Sequence, residues 1–180
     1  MSIQKYIRRA ARNTATRSLS NEHLSLILSS AKEDPNLQDL VDVVTIISNT
    51  GIRAQELIEL RWSDVDVEKR DLVVNSKKSA STHRVHLGAK VFQILEARHK
   101  LHRESKYVLG KSPQLTLYRV LRQLCSLSAS IGIAPISPHD LRQAFLRARL
   151  NLERPSNRSR KLADEHRLSS GAFKRALIQD

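Results

Sequence analysis

One stretch limits the possible folds more than any other. Between Leu40 and Ile47, inside "LQDLVDVVTIISNTG", almost every residue is apolar, and Gly51 ends the run. A helix that is apolar all round needs neighbours on every side, so this segment predicts a central helix with a glycine stop. The flanking patterns supply those neighbours. Ser20 is placed to cap "NEHLSLILSSAK", where Leu24, Ile27 and Leu28 recur at helical spacing and "EDPN" closes the segment. After Gly51, "RAQELIELRWSDVD" opens with a short helix that turns Leu57, Ile58 and Leu60 inward. The pattern then changes between Val65 and Leu87, where β-branched pairs separated by polar clusters predict two or three short antiparallel strands. Helical spacing returns in "AKVFQILEARHKLH", in "SPQLTLYRVLRQLCSLSASIG" and from Pro138 onward. The expected fold is mainly α with a small antiparallel β-sheet. Residues 1–19 read as a basic arm or linker, residues 20–180 as one domain, and 154–161 as a polar, loop-like break within it.

Charge narrows the choice of partner. The chain carries 31 Lys and Arg against 18 Asp and Glu, a net +13, more than solubility requires. Nucleic acid is the leading partner class; a ribosomal or membrane-surface protein is the plainer alternative. With 4% aromatic residues the chain is poorly equipped to stack single-stranded bases, which favours duplex phosphates. The arm contributes Lys5, Arg8 and Arg9 without an acidic residue among its first 17 positions. No apolar run reaches membrane-span length and the start lacks a secretory core, so a cytoplasmic, nucleoid-associated protein is expected. The lone cysteine, Cys125, falls in an apolar pattern and reads as a small buried hydrophobe.

Three pieces can carry chemistry. In "SPHDLRQAF", Ser137 can cap a helix, Pro138 suits its first position and Asp140 completes a capping box. His139 and Arg142 then share a face at a helix amino end, which favours an anion. Taken alone, a surface His and Arg near a cap is the commoner meaning. In "TGIRAQEL", Arg53 follows Gly51 and Glu56 is placed to hold its guanidinium, a fork that suits phosphate oxygens; alone it is an ordinary surface ion pair. In "KKSASTHRVHL", Lys78 falls at a hairpin turn, where a solvated lysine is the usual finding and a mobile proton donor the special one.

Together, in this order and spacing, "TGIRAQELIELRWSDVD", the lysine ahead of "VHL", and "HDLR" resemble the catalytic domain of the tyrosine recombinases, or phage integrases, from about Ser20 to at least Phe145. The resemblance implies a site in which two arginines, a lysine and histidines surround the scissile phosphate of double-stranded DNA, and a tyrosine attacks it. Carried over, Arg53 is the first arginine, Lys78 the general acid for the 5′-oxygen, His139 the first histidine, Arg142 the second arginine, His166 of "LADEH" the later histidine, and Glu56 the acidic residue behind Arg53. Arg53, Lys78 and Arg142, with Lys5, Arg8 and Arg9, would also hold DNA. Such chemistry needs no metal and no cofactor; its partners are duplex DNA and other recombinase subunits.

The sequence departs from the family at one decisive place. Nine residues beyond His166, where the family carries its tyrosine, stands Arg175; Phe173 is two positions early, and Tyr6, Tyr107 and Tyr118 all precede "HDLR". Tyr107 and Tyr118 are expected to pack or cap within their own helical region. Only the basic arm precedes Ser20, where the family has a further DNA-gripping domain, so modest affinity is expected. The first-ranked reading is a DNA-binding relative that keeps the phosphate pocket without cleaving. An active recombinase with its nucleophile supplied by another subunit or by Tyr6, a fragment of a longer enzyme, and a helical basic regulator remain open. Loss of Arg53 or Arg142 is expected to weaken duplex binding far more than loss of Arg98 or Arg103, which stand for the general basic surface.

Overall fold

A computed structural model describes residues 19–76 and 81–153. By its contacts the chain divides into two compact units, 1–146 and 147–180, and the core and site below belong to the first. The basic arm with Lys5, Tyr6, Arg8 and Arg9, the 154–161 break, and Lys78, His166, Phe173 and Arg175 lie outside the described residues.

Helix α1 spans Asn21–Lys32; the Ser20 hydroxyl accepts from the His23 backbone N–H at 3.1 Å, as its place in the sequence predicted. A 3₁₀ turn at Pro35–Leu37 leads into α2, Gln38–Thr50. Helix α2 buries Leu40, Val41, Val43, Val44, Ile46 and Ile47 around its circumference and is the central element. Burying each such side chain contributes roughly 1.5–3 kcal/mol, so the six on α2 make it a large contributor to the core. Gly51 ends it with φ of 66°, donating its N–H to Ile47 O at 2.9 Å. The short α3, Ala54–Glu59, directs Leu57 and Ile58 inward, and Leu60 is buried just beyond it.

Strands β1 (Val65–Asp66), β2 (Asp71–Ser76) and β3 (Ser81–His86) form one antiparallel sheet in that order. Leu72 pairs with Val85 and Val74 with His83. Leu72 and Val74 are buried, so alternate residues of β2 close the core, while β3 is exposed apart from half-buried Val85. The chain then forms α4 (Ala89–Leu101), α5 (Pro113–Ser130) and α6 (Pro138–Glu153). Helix α5 packs along α2 and against α3 through Leu117, Val120, Leu121 and Leu124. The mainly helical architecture with its small sheet agrees with the sequence. None of the described helices is long and apolar enough to cross a membrane.

Three local expectations are corrected. Arg98 is not part of a basic surface; it is 2% exposed. Its Nη1 donates to Asp39 Oδ1 at 2.8 Å and to Asp42 Oδ2 at 2.9 Å, and its Nε donates to Val108 O at 3.2 Å. Asp39 also accepts from Arg119 of α5. The apolar surroundings of α4 gave no warning, because both carboxylates sit on α2, 56 and 59 residues away in the chain. Tyr107 is not helical: its backbone forms an isolated bridge with Arg61. Cys125 is half-buried and free rather than fully enclosed.

Candidate functional site

The first arginine is positioned by the turn after α2. The Thr50 hydroxyl donates to Ile46 O at 2.6 Å and accepts from Ile52 N at 3.3 Å, which leads the chain out of the glycine cap in one defined direction. Arg53 then begins α3, and Glu56, three residues on, returns both oxygens to it. Its Oε2 accepts the Arg53 backbone N–H at 2.8 Å and its Oε1 accepts Arg53 Nη1 at 2.6 Å. Glu56 is buried while the Arg53 side chain remains 44% exposed. The carboxylate is therefore a fixed anchor and the guanidinium an accessible group held in place.

The second arginine arrives on α6. The predicted capping box is present: Ser137 N donates to Asp140 Oδ2 at 2.8 Å, Ser137 Oγ donates to the same oxygen at 2.6 Å, and Asp140 N approaches Ser137 Oγ at 3.3 Å. This sets the start of α6, with His139 exposed in the first turn and Arg142 half-buried one turn later. Arg142 Nη1 donates to the carbonyl of Gly51. Phe145, three residues further along α6, lays its ring over the Cα of Gly51. The glycine thus receives α6 in two ways: its carbonyl orients Arg142, and its missing side chain admits Phe145.

The two arginines are electrostatic neighbours. Burial lowers the pKa of Arg142 below the ordinary guanidinium value, the like charge of Arg53 lowers it further, and Glu56 works in the opposite direction. Arginine stays protonated at neutral pH even so. The result is a pair of cations, one partly stripped of water, with the buried Glu56 carboxylate as a compensating charge. An anion placed here relieves their mutual repulsion, and two guanidinium forks match the oxygens of a phosphate.

The structure therefore joins Arg53, Glu56 and Arg142, and places His139 on the same helix as Arg142. Lys78 belongs to the connection between β2 and β3, and, with His166, Lys5, Arg8 and Arg9, lies outside the described residues. Among the described residues no group of three His, Cys, Asp or Glu side chains is arranged to hold a metal ion. Tyr107 lines a cleft of about 300 Å³ with Glu56, Glu59, Arg61 and Asp64. Tyr118 lies on α5 beneath the Arg122 guanidinium. Sequence reasoning took Gly51 as a helix stop and missed its second role. The signal was the glycine two residues before Arg53 combined with a phenylalanine three residues after Arg142, which only contact geometry connects.

The phage integrase family model matches residues 17–157. No curated protein matches the sequence. Among solved structures, the XerA recombinase superposes with a TM-score of 0.63 at 21% identity, over 78% of this chain and 53% of its own. The Tn1549 transposon integrase, solved in complex with transposon right end DNA, gives a TM-score of 0.64 at 16% identity, over 79% of this chain and 56% of its own. The lambda integrase catalytic core gives 0.56 at 19% identity, over 73% of this chain and 85% of its own. The chain thus spans about half the length of the first two and most of the isolated core. At these identities the superpositions describe a shared fold, and with the family match covering well over half of its 180 residues, the chain belongs to the phage integrase family.

Proposed function

We propose that this domain binds double-stranded DNA in integration or recombination of the tyrosine recombinase type, seating one backbone phosphate between Arg53 and Arg142. The observation that supports it is the convergence of these two cations, from helices 89 positions apart in sequence, on the Gly51 turn with Glu56 as their buried counter-charge. In this reading the guanidiniums neutralise the non-bridging oxygens, His139 adds a donor from the first turn of α6, and Lys78 serves as the proton donor that the family resemblance implies. Lys5, Arg8 and Arg9 add phosphate contacts beyond it. The solved DNA complexes of the Tn1549 and lambda integrases make duplex DNA the natural ligand to test.

Binding to a duplex oligonucleotide, followed by fluorescence anisotropy, should weaken at least about tenfold in either Arg53→Ala or Arg142→Ala, since a hydrogen bond to a charged group contributes roughly 1.5–3 kcal/mol. Exposed Arg103→Ala is the appropriate control and should change it little. The slope of log affinity against log salt should flatten by about 0.9 for each phosphate contact removed. Equal losses at positions 53, 103 and 142 would replace the pocket with a diffuse basic face.

Strand cleavage is a separate question. Cleavage by this chain alone is proposed to be absent, because Arg175 occupies the place of the family's tyrosine and a guanidinium cannot form the phosphoryl ester. A nicked duplex that traps covalent intermediates should give no protein–DNA band on a denaturing gel, with normal binding. A band, mapped to its residue, would instead identify a nucleophile elsewhere in the chain.

A further inference from the structure

The junction of α4 with the start of the sheet carries a cleft that the arginine pocket does not use. The chain leaves α3 through a 3₁₀ turn, Trp62–Asp64, and enters β1. Trp62, Val65 and Phe92 pack against the core only in part, and with Leu95 they line an apolar cleft of about 290 Å³. Val67 lines it too and is left 60% exposed. The Trp62 ring meets His99 of α4 edge-on, centroids 4.7 Å apart, so the indole is held in place. Its Nε1 is nevertheless buried without an acceptor among the described residues, where buried polar groups are as a rule paired. The wall of the cleft therefore includes a donor that the domain itself does not satisfy.

The rim is charged, and mostly of one sign. Lys100 and Arg103 line this cleft and also a second one of about 490 Å³, to which Lys111 belongs. The two clefts thus share a pair of cations along their common edge. Neither Lys100 nor Arg103 has a carboxylate partner among the described residues. Arg70 adds a third cation, its guanidinium 5.0 Å from the centroid of the Phe92 ring. Glu96 is the one acidic residue lining the first cleft, and in the second Glu104 is already engaged by Lys111 at 3.1 Å. Cations near the last turn of α4 suit its dipole, but the apolar cleft beside them does not follow from that.

An apolar hollow bordered by unpaired cations fits a ligand with an apolar body and carboxylates beside it. A duplex fits poorly, since its bases are stacked out of reach and its charged backbone has nothing to place against Trp62 and Phe92. The chain's own first 17 residues, with Lys5, Arg8, Arg9, Arg12 and Arg17 and no acid, are repelled by the same rim. The volume lies at the lower limit of small-molecule pockets and suits one or two inserted side chains better than a whole metabolite. We propose that this cleft is a docking site for an acidic segment of a partner protein, which inserts an apolar side chain between Trp62 and Phe92 and sets its carboxylates against Lys100 and Arg103. A buried apolar anchor supplies the affinity in such contacts, and the charged rim selects the partner.

Trp62 is the chain's one tryptophan, so the cleft can be watched directly. Random short peptides displayed on phage are selected on the full chain, and those retained are synthesised and titrated while Trp62 fluorescence is followed. They should share an aromatic or aliphatic residue next to Asp or Glu, and their binding should change the Trp62 emission. Val67→Asp, which puts a carboxylate on the apolar wall, and the double variant Lys100→Glu with Arg103→Glu should each weaken that binding at least about tenfold. All three positions are exposed, so thermal melts should match wild type. Duplex affinity should change little in Lys100→Ala with Arg103→Ala. No enrichment, retained peptides without acidic residues, an unchanged Trp62 emission, or equal binding by every variant overturns the inference. A duplex affinity loss in the double alanine variant as large as that in Arg53→Ala also overturns it, making the rim a phosphate contact.

Discussion

Arg98→Ala should lower the unfolding free energy by about 3–5 kcal/mol, the largest stability loss expected for any arginine described here. The reason is asymmetric. The side chain is 2% exposed and serves Asp39 and Asp42 at once, so its removal leaves the buried Asp42 without its cation, leaves Asp39 with Arg119 alone, and opens a cavity beside Val108. Urea denaturation monitored by circular dichroism gives the measurement; a change under 1 kcal/mol would show that water or Arg119 compensates. A companion readout is acid sensitivity. Burial raises the pKa of Asp39, but the hydrogen bonds and charges of Arg98 and Arg119 outweigh it, and the net value lies below 3.8. A depressed carboxylate contributes stability that is complete above its unfolded value and is lost as pH falls through the folded one. Wild type should therefore hold the contribution of Asp39 down to about that value and lose it only below. Arg98→Ala removes the largest cause of that depression and leaves burial to push the Asp39 pKa upward, so its loss of stability in acid attributable to Asp39 should be smaller than in wild type. For the same reason Arg98 is unsuitable as a surface control in binding assays, since its loss acts through the fold.

Gly51→Ala should cost about 2–5 kcal/mol, through two effects that add. At φ of 66° an L-residue pays roughly 1–2 kcal/mol. The new Cβ would also meet the Phe145 ring, with Cε1 only 2.6 Å away, and overpacking of this kind costs about 1–3 kcal/mol. The functional consequence is specific. Relief comes most easily by moving α6 away from the turn, which separates Arg142 from the Gly51 carbonyl. Duplex affinity should then fall as far as it does in Arg142→Ala. A double-mutant cycle isolates the cause: Phe145→Ala removes the obstructing ring, so the two changes together should destabilise by less than their sum. Strict additivity would mean that the ring is not what the Cβ meets, and unchanged DNA binding would separate the turn from the phosphate pocket.

The two edges of the site were legible for different reasons. The α6 capping box could be read directly, because Ser137 and Asp140 act across three residues and local chemistry alone decides their bonds. The Arg53–Glu56 pair is equally local. The central helix followed from its unbroken apolar run, and the sheet from the change of period between Val65 and Leu87. What could not be read were bonds between residues far apart. Arg98 looked like any other arginine on an amphipathic helix until two aspartates of α2 were found facing it.

By itself, then, the sequence determined the elements, their caps, the surplus of positive charge and the family boxes, since each depends on neighbours within a turn or two of the chain. Only the tertiary structure decided which cations lie together. Burial of α2 brings its glycine end under α6, so that one carbonyl orients Arg142 beside Arg53, and the same packing draws Arg98 inside while leaving Arg122 outside. Identical side chains were assigned to core, pocket and surface by desolvation and partner geometry, which periodicity cannot express.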